Sequence, residues 1–169
     1  MELFRLEGAE QFKPKIIDLF ANARYEASIV SSLHPPFYND AEVKKALTSC
    51  IENVKKIRLL IDDGKNIEKI KSELPWLIEL KKKYPNKMDI RFIEDPDLKH
   101  IMIIDNQNLR IEEPHEDNTT DKTKNLIIKG APESMIDAAN ELFDSWWESG
   151  KELDTKQKKI SEFPQHTPN

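Results

Sequence analysis

The pattern of apolar residues predicts an α/β domain: a mixed β-sheet flanked by helices. Three observations lead there. Short apolar runs of strand length alternate with longer amphipathic segments through the first half of the chain. Later, two apolar runs are separated only by Asn106-Gln107-Asn108, a turn too short for a crossover, so this pair forms an antiparallel hairpin. One further strand and a long amphipathic helix follow, giving the order β-α-β-α-β-α-β-β-β-α. Alternation implies parallel strands, and the hairpin makes the sheet mixed.

Leu3–Leu6 reads as a short strand. From about Ala9 to Arg24 the apolar residues Phe12, Ile16, Leu19, Phe20 and Ala23 recur at helical spacing. Pro14 is tolerated if the helix begins near Gln11, because a first turn has no N–H to lose. Glu26–Ser32 is a buried strand, and Pro35-Pro36 after His34 predict a loop. Asn39-Asp40-Ala41-Glu42 has the spacing of a capping box. It opens a helix with Val43, Ala46, Leu47, Cys50, Ile51 and Val54 on one stripe. Cys50 within that stripe reads as core. Lys56–Asp62 is a strand stopped at Asp63-Gly64, and Asn66–Tyr84 is helical with a break at Pro75. Lys81-Lys82-Lys83 is a solvated last turn that suits the helix dipole.

Met88–Glu94 is the next strand, and Asp95-Pro96-Asp97 turns the chain into the strand His100–Asp105. Leu109-Arg110-Ile111 is its hairpin partner. Glu113–Lys124 has no periodicity and reads as a loop. Asn125–Lys129 is a strand ending at Gly130, and Pro132 starts the last helix. There Met135, Ile136, Ala139, Leu142, Phe143 and Trp146 form the predicted core stripe, Trp147 is expected partly exposed, and Gly150 fits the C-terminal cap. The expected domain spans 1–153, with 154–169 a disordered polar tail.

The net charge of -5 argues against a general nucleic-acid binder, since phosphate neutralisation needs surplus Lys and Arg. No run reaches the length of a membrane span, and Met1–Phe12 lacks the features of a signal peptide. The single Cys50 excludes an intrachain disulfide and fits a reducing cytoplasm.

Candidate site residues sit where strands end. His34 follows one strand, and Asp62 and Asp63 end another, at positions where α/β sheets often hold ligands. His100 is either a ligand contact or a strand-edge histidine. Asp105 is either a functional acid or the residue that initiates the following turn. The two lie an odd number of residues apart on one strand and so point to opposite faces. They share a pocket only across a bulge. Glu112, Glu113, His115, Glu116 and Asp117 form a cluster able to attract a divalent cation, but without rigid spacing it reads as a solvated acidic loop.

Several segments, in this order, resemble one half of the phospholipase D superfamily fold: "GAEQFKPKIIDLFANARYEASIVSS", "KIRLLIDD", "KHIMIIDNQNLRI" and "NLIIKGAPESMIDAANELFDSWWESG". The resemblance covers about residues 3–150. Within that superfamily the chain resembles more the catalytically degenerate effector domain of TrmB-type archaeal transcriptional regulators than the active enzymes. The superfamily motif is His-x-Lys-x-x-x-x-Asp, with His as nucleophile and Lys stabilising phosphate charge. With Asp105 on the motif's Asp, Leu98 replaces the His and His100 replaces the Lys. With His100 on the motif's His, Met102 and Gln107 fall at Lys and Asp. Neither register rebuilds the site, and no second copy of the motif is present. The winged helix that precedes the effector domain in those regulators has no counterpart before Leu3. An effector domain standing alone, or cut from a longer chain, is therefore expected.

The resemblance implies a non-catalytic sensor or interaction domain linked to transcriptional regulation. It would bind a small effector such as a sugar through His34, Asp62, His100 and Asp105. No metal or cofactor, no direct nucleic-acid contact and no membrane is expected, and a homodimer would suit the fold. Two other readings stay open. One is a phosphodiesterase or nuclease with a rearranged His site; the other is a ligand-free scaffold that uses Trp147 for docking.

Overall fold

The computed structural model describes residues 1–62, 67–113 and 123–153. They form one eight-stranded mixed sheet with helices on both faces. The strands are β1 (Glu2–Glu7), β2 (Glu26–Ser31), β3 (Lys56–Ile61), β4 (Met88–Phe92), β5 (Ile101–Ile104), β6 (Asn108–Glu112), β7 (Lys124–Lys129) and β8 (Lys151–Glu152). Their order across the sheet is β1-β7-β6-β5-β2-β3-β4-β8. β2, β3 and β4 run parallel, and every other pairing is antiparallel. β2 lies at the centre with every residue after Glu26 buried, as a strand covered on both faces must be.

The helices are α1 (Ala9–Asn22), α2 (Pro35–Tyr38), α3 (Ala41–Asn53), α4 (Ile67–Glu73), α5 (Pro75–Lys83) and α6 (Glu133–Ser149). One face of the sheet is covered by α1, α3, α4 and α5, whose Ile16, Phe20, Leu47, Ile51 and Leu77 pack on Ile29, Leu59 and Met102. On the other face α6 places Ile136, Phe143 and Trp147 over Val30, Leu60, Ile103, Leu109 and Ile128. Cys50 is fully buried in the first cluster. Burial, helped by the charge of Asp105, pushes its thiol up to about 12, so it is an inert core residue.

The structure departs from expectation at several places. The Pro35-Pro36 segment is one turn of helix rather than a loop, because a first turn needs no N–H from either proline. α1 starts at Ala9, so Pro14 is interior to it. The cap of α3 is Asp40, whose carboxylate accepts from the N–H groups of Glu42 and Val43, so Glu42 does not close a capping box. In α6 Met135 and Leu142 are 39% and 41% exposed, while Trp147 is 9% exposed. The core stripe is Ile136, Phe143 and Trp147, rotated from the predicted one. Trp147 stacks on Phe143 and lies under the Arg91 guanidinium. Gly150 caps α6 with φ -76, not left-handed. A Cβ there would sit 3.1 Å from both Arg91 Cβ and Leu60 Cδ1, so the glycine permits close packing into β8. The expected polar tail, His115, Glu116, Asp117 and Asp63 lie outside the described residues.

Candidate functional site

The parallel strands β2 and β3 end at the same edge of the sheet, where they leave a cavity of about 470 Å³. The turn Asp95–Leu98 delivers His100 to this edge: Asp97 N–H donates to Asp95 Oδ1 at 2.9 Å and Leu98 N–H to Asp95 O at 3.2 Å. His100 stands just before β5, and the Glu112 N–H donates to its carbonyl at 2.9 Å, extending the hairpin by one rung.

Both imidazole nitrogens meet carboxylates. Nδ1 lies 3.0 Å from Glu112 Oε2, and Nε2 lies 3.0 Å from Asp62 Oδ2. Ser32 Oγ is 3.2 Å from Nε2. Burial acts to lower the His100 pKa, but the hydrogen bonds and charges of Asp62 and Glu112 outweigh it and raise the value to about 9. His100 is therefore an imidazolium at neutral pH. Glu112 is shared with a second cation: Arg110 Nη2 lies 3.1 Å from the same Oε2, and the two side chains are 5% and 9% exposed. Arg110 Nε donates to Asn125 Oδ1 at 2.6 Å, which fixes the guanidinium plane.

The opposite wall is apolar, with Phe12, Leu33, Phe37 and Leu98 lining the cavity. Tyr38 belongs to this wall, and its hydroxyl meets Ser31 Oγ at 3.2 Å. Burial raises the Tyr38 pKa, so the phenol stays protonated. At the lip, Lys13 Nζ pairs with Asp40 Oδ2 at 2.5 Å. That hydrogen bond, with the N–H of Val43, lowers the Asp40 pKa. Among the described residues no group of His, Cys, Asp and Glu is arranged to hold a metal ion. Around His100 the imidazole bridges the carboxylates instead of converging with them on a common point.

His34, Asp62 and His100 therefore line one cavity. Asp105 does not. It lies at the far end of β5, where its carboxylate accepts from the backbone N–H groups of Arg24 (2.9 Å), Tyr25 (2.6 Å) and Glu26 (3.0 Å). Asp105 and Asn106 adopt φ of 56 and 52, which makes them the centre of the hairpin turn closed by Gln107 N–H to Ile104 O at 3.1 Å. Asp105 is structural because three amides occupy its oxygens.

Sequence reasoning missed Arg110 and placed Glu112 in a solvated loop, whereas Glu112 ends β6 and is 8% exposed. A signal was present. Leu109 and Ile111 face α6, so Arg110 and Glu112 must face the other side of the strand. A hairpin that pairs Ile101 with Ile111 also brings Glu112 opposite His100.

No family model and no curated protein sequence matches the chain. Solved structures do. The fold is that of half a phospholipase D-like protein. Nuc from Salmonella typhimurium, a phospholipase D family member, matches with a TM-score of 0.65 at 12% identity, over 90% of this chain and 99% of its own. Phosphatidylserine synthase of Haemophilus influenzae Rd KW20 matches with 0.67 at 13% identity, over 97% of this chain and 42% of its own. The archaeal chromatin protein TrmBL2 matches with 0.67 at 15% identity, over 90% of this chain and 55% of its own length. The fold is thus shared with enzymes and with a DNA-binding chromatin protein. Among the described residues no helix is long and apolar enough to cross a membrane.

Proposed function

We propose that this domain binds a small effector without performing phosphodiester chemistry, and that it acts as a sensor or interaction module in transcriptional regulation. The observation that carries the reading is His100, whose two nitrogens are both held by carboxylates at the edge of a cavity of about 470 Å³. An imidazolium with both N–H groups engaged has no lone pair for attack on phosphorus. Its neighbour Leu98, in the register set by Asp105, supplies no nucleophile either. The cavity has the size of a small-molecule site, with an apolar wall and a few fixed polar groups. Likeness to TrmBL2 supports the link to transcription, and half-length coverage of phosphatidylserine synthase supports pairing of two such units as a homodimer.

The test is a thermal-shift screen of the purified chain against sugars, nucleosides and their phosphates, paired with a bis-aryl phosphate hydrolysis assay. A ligand at about 100 times its dissociation constant adds roughly 2.7 kcal/mol of apparent stability. A shift weakened by Ser32→Ala supports a sensor. Hydrolysis abolished by His100→Ala would instead establish the phosphodiesterase reading.

A further inference from the structure

We infer that the cavity takes an uncharged small molecule with one apolar face and a hydroxyl- or amide-bearing edge, and that it rejects the phosphorylated or carboxylated form of the same compound. This rests on the ligand-binding reading above and adds the chemical class. A site in this fold that stabilises phosphate charge needs cations free to face the ligand. Here the deep cations are already committed. Arg110 holds Glu112 and Asn125, and His100 spans Glu112 and Asp62. An incoming anion must displace one of those carboxylates, leaving a charge of the same sign buried without its partner. Glu112 is 8% exposed, so a displaced carboxylate there would be poorly hydrated.

The balance does not depend on the state of the imidazole. With His100 protonated, two cations face two carboxylates. With it neutral, the cluster carries an excess negative charge and is still more hostile to an anion. The lip is balanced in sign: Lys13 is paired with Asp40, and Lys99 and Glu113, which both line the cavity, carry one charge of each sign. An uncharged ligand meets no such barrier. Phe37 and Leu33 offer it an apolar face. The Ser31 and Tyr38 hydroxyls share one hydrogen bond and, with the Leu33 N–H donating to Ser31 Oγ at 3.0 Å, keep one hydroxyl proton between them for a ligand acceptor. Ser32 Oγ supplies a further donor or acceptor beside His100.

The first arm of the test uses inorganic phosphate against sodium chloride at equal ionic strength, with wild type and Asp62→Asn. Asp62 is the more exposed carboxylate, with 26% of its side chain accessible, and the amide that replaces it carries no charge, so an incoming anion no longer competes with a carboxylate for that side of the imidazolium. Phosphate should leave the wild-type midpoint where chloride does and raise that of Asp62→Asn by several degrees. Glu112→Gln is the second variant and should behave alike. Phosphate stabilisation of the wild type equal to that of the variants overturns the inference, as does the absence of any gain in both variants. The second arm measures binding of matched pairs, adenosine with adenosine monophosphate and glucose with glucose 6-phosphate. The uncharged member should bind at least about tenfold tighter, and preference for the phosphorylated member overturns the inference. Should no compound bind, the ligand-binding reading fails, while the phosphate arm still decides the charge preference.

Discussion

His100 Nδ1 and Glu112 Oε2 lie 3.0 Å apart at the end of the β5–β6 hairpin, one rung beyond the strand ladder. The same hairpin that builds the sheet thus builds half of the site. On the other side of the ring Asp62, the residue after β3, completes a clamp that joins the ends of separate strands. Site and fold are therefore coupled through one protonatable group.

That coupling predicts a pH-dependent stability. The folded-state pKa of His100 is raised to about 9 from an ordinary 6.5. A raised pKa contributes stability that is fully present below the unfolded value and is lost as pH rises through the folded one. Stability should thus be highest near pH 6 and fall between about pH 6.5 and 9, by roughly 3 kcal/mol if the shift is fully expressed. Urea unfolding across this window measures it. His100→Gln should flatten the slope; an unchanged slope in that variant would show that His100 is not its source.

Asp105 predicts the converse, a stability effect without a binding effect. Its carboxylate holds the N–H groups of Arg24, Tyr25 and Glu26, where α1 gives way to β2. Asp105→Ala leaves those donors to water and removes a residue suited to the left-handed turn. The cost should be about 2–4 kcal/mol in urea unfolding. Ligand-induced stabilisation should persist in the variant, since Asp105 lies away from the cavity. Loss of ligand response at unchanged stability would contradict this placement.

The contrast between these residues shows what the sequence made legible. Element type and order were readable, apart from the single turn of α2 and the two-residue β8, because short β-branched runs and amphipathic repeats carry their own period. Even the Leu74–Pro75 break between α4 and α5 announced itself through proline chemistry. Asp62 and His34 were readable as cavity residues because the ends of parallel strands converge by topology. Glu112 was not, because a charged residue beside a polar run looks solvated until the hairpin register places it opposite His100. Asp105 was legible in part: the turn it opens follows from its place before Asn106, whereas its placement with the ligand residues fails because the amides it caps are distant in sequence. Pro35-Pro36 reads as a loop in the sequence because Pro-Pro excludes a helix interior, though not a first turn.

Trp147 gives a packing prediction that sequence periodicity reversed. It is 9% exposed, stacked on Phe143 with ring centroids 5.7 Å apart, and its carbonyl accepts from Arg91 Nη1 at 2.8 Å. Trp147→Ala should cost about 3–5 kcal/mol, the range for truncating a buried aromatic residue. Trp146→Ala, on the half-buried flank, should cost less than half as much. Parallel denaturant titrations of the two variants decide the matter, and a larger loss in Trp146→Ala would restore the stripe that the periodicity predicts.

The flank of α6 that carries Trp146 bears on self-association. α6 is the one helix among the described residues on its face of the eight-stranded sheet, whereas α1 to α5 pack on the other. Beside it Leu3, Met135 and Leu142 are 48%, 39% and 41% exposed, and Ile111 and Leu126 are half-buried. Sheet faces of this kind are stable when a further layer covers them. A second copy would supply complementary charge: α6 has Glu133, Asp137, Glu141, Asp144 and Glu148 with no Lys or Arg, while Arg5 and Lys124 stand exposed on the same face of β1 and β7. A two-fold arrangement would set the acids of one copy against the bases of the other. Sedimentation equilibrium should therefore show a concentration-dependent dimer, weakened about tenfold or more by Leu142→Glu and unaffected by Tyr25→Glu, since Tyr25 is also exposed but sits beside the Asp105 turn. A chain that stays monomeric throughout, or a dimer indifferent to Leu142→Glu, would rule out this face as the interface.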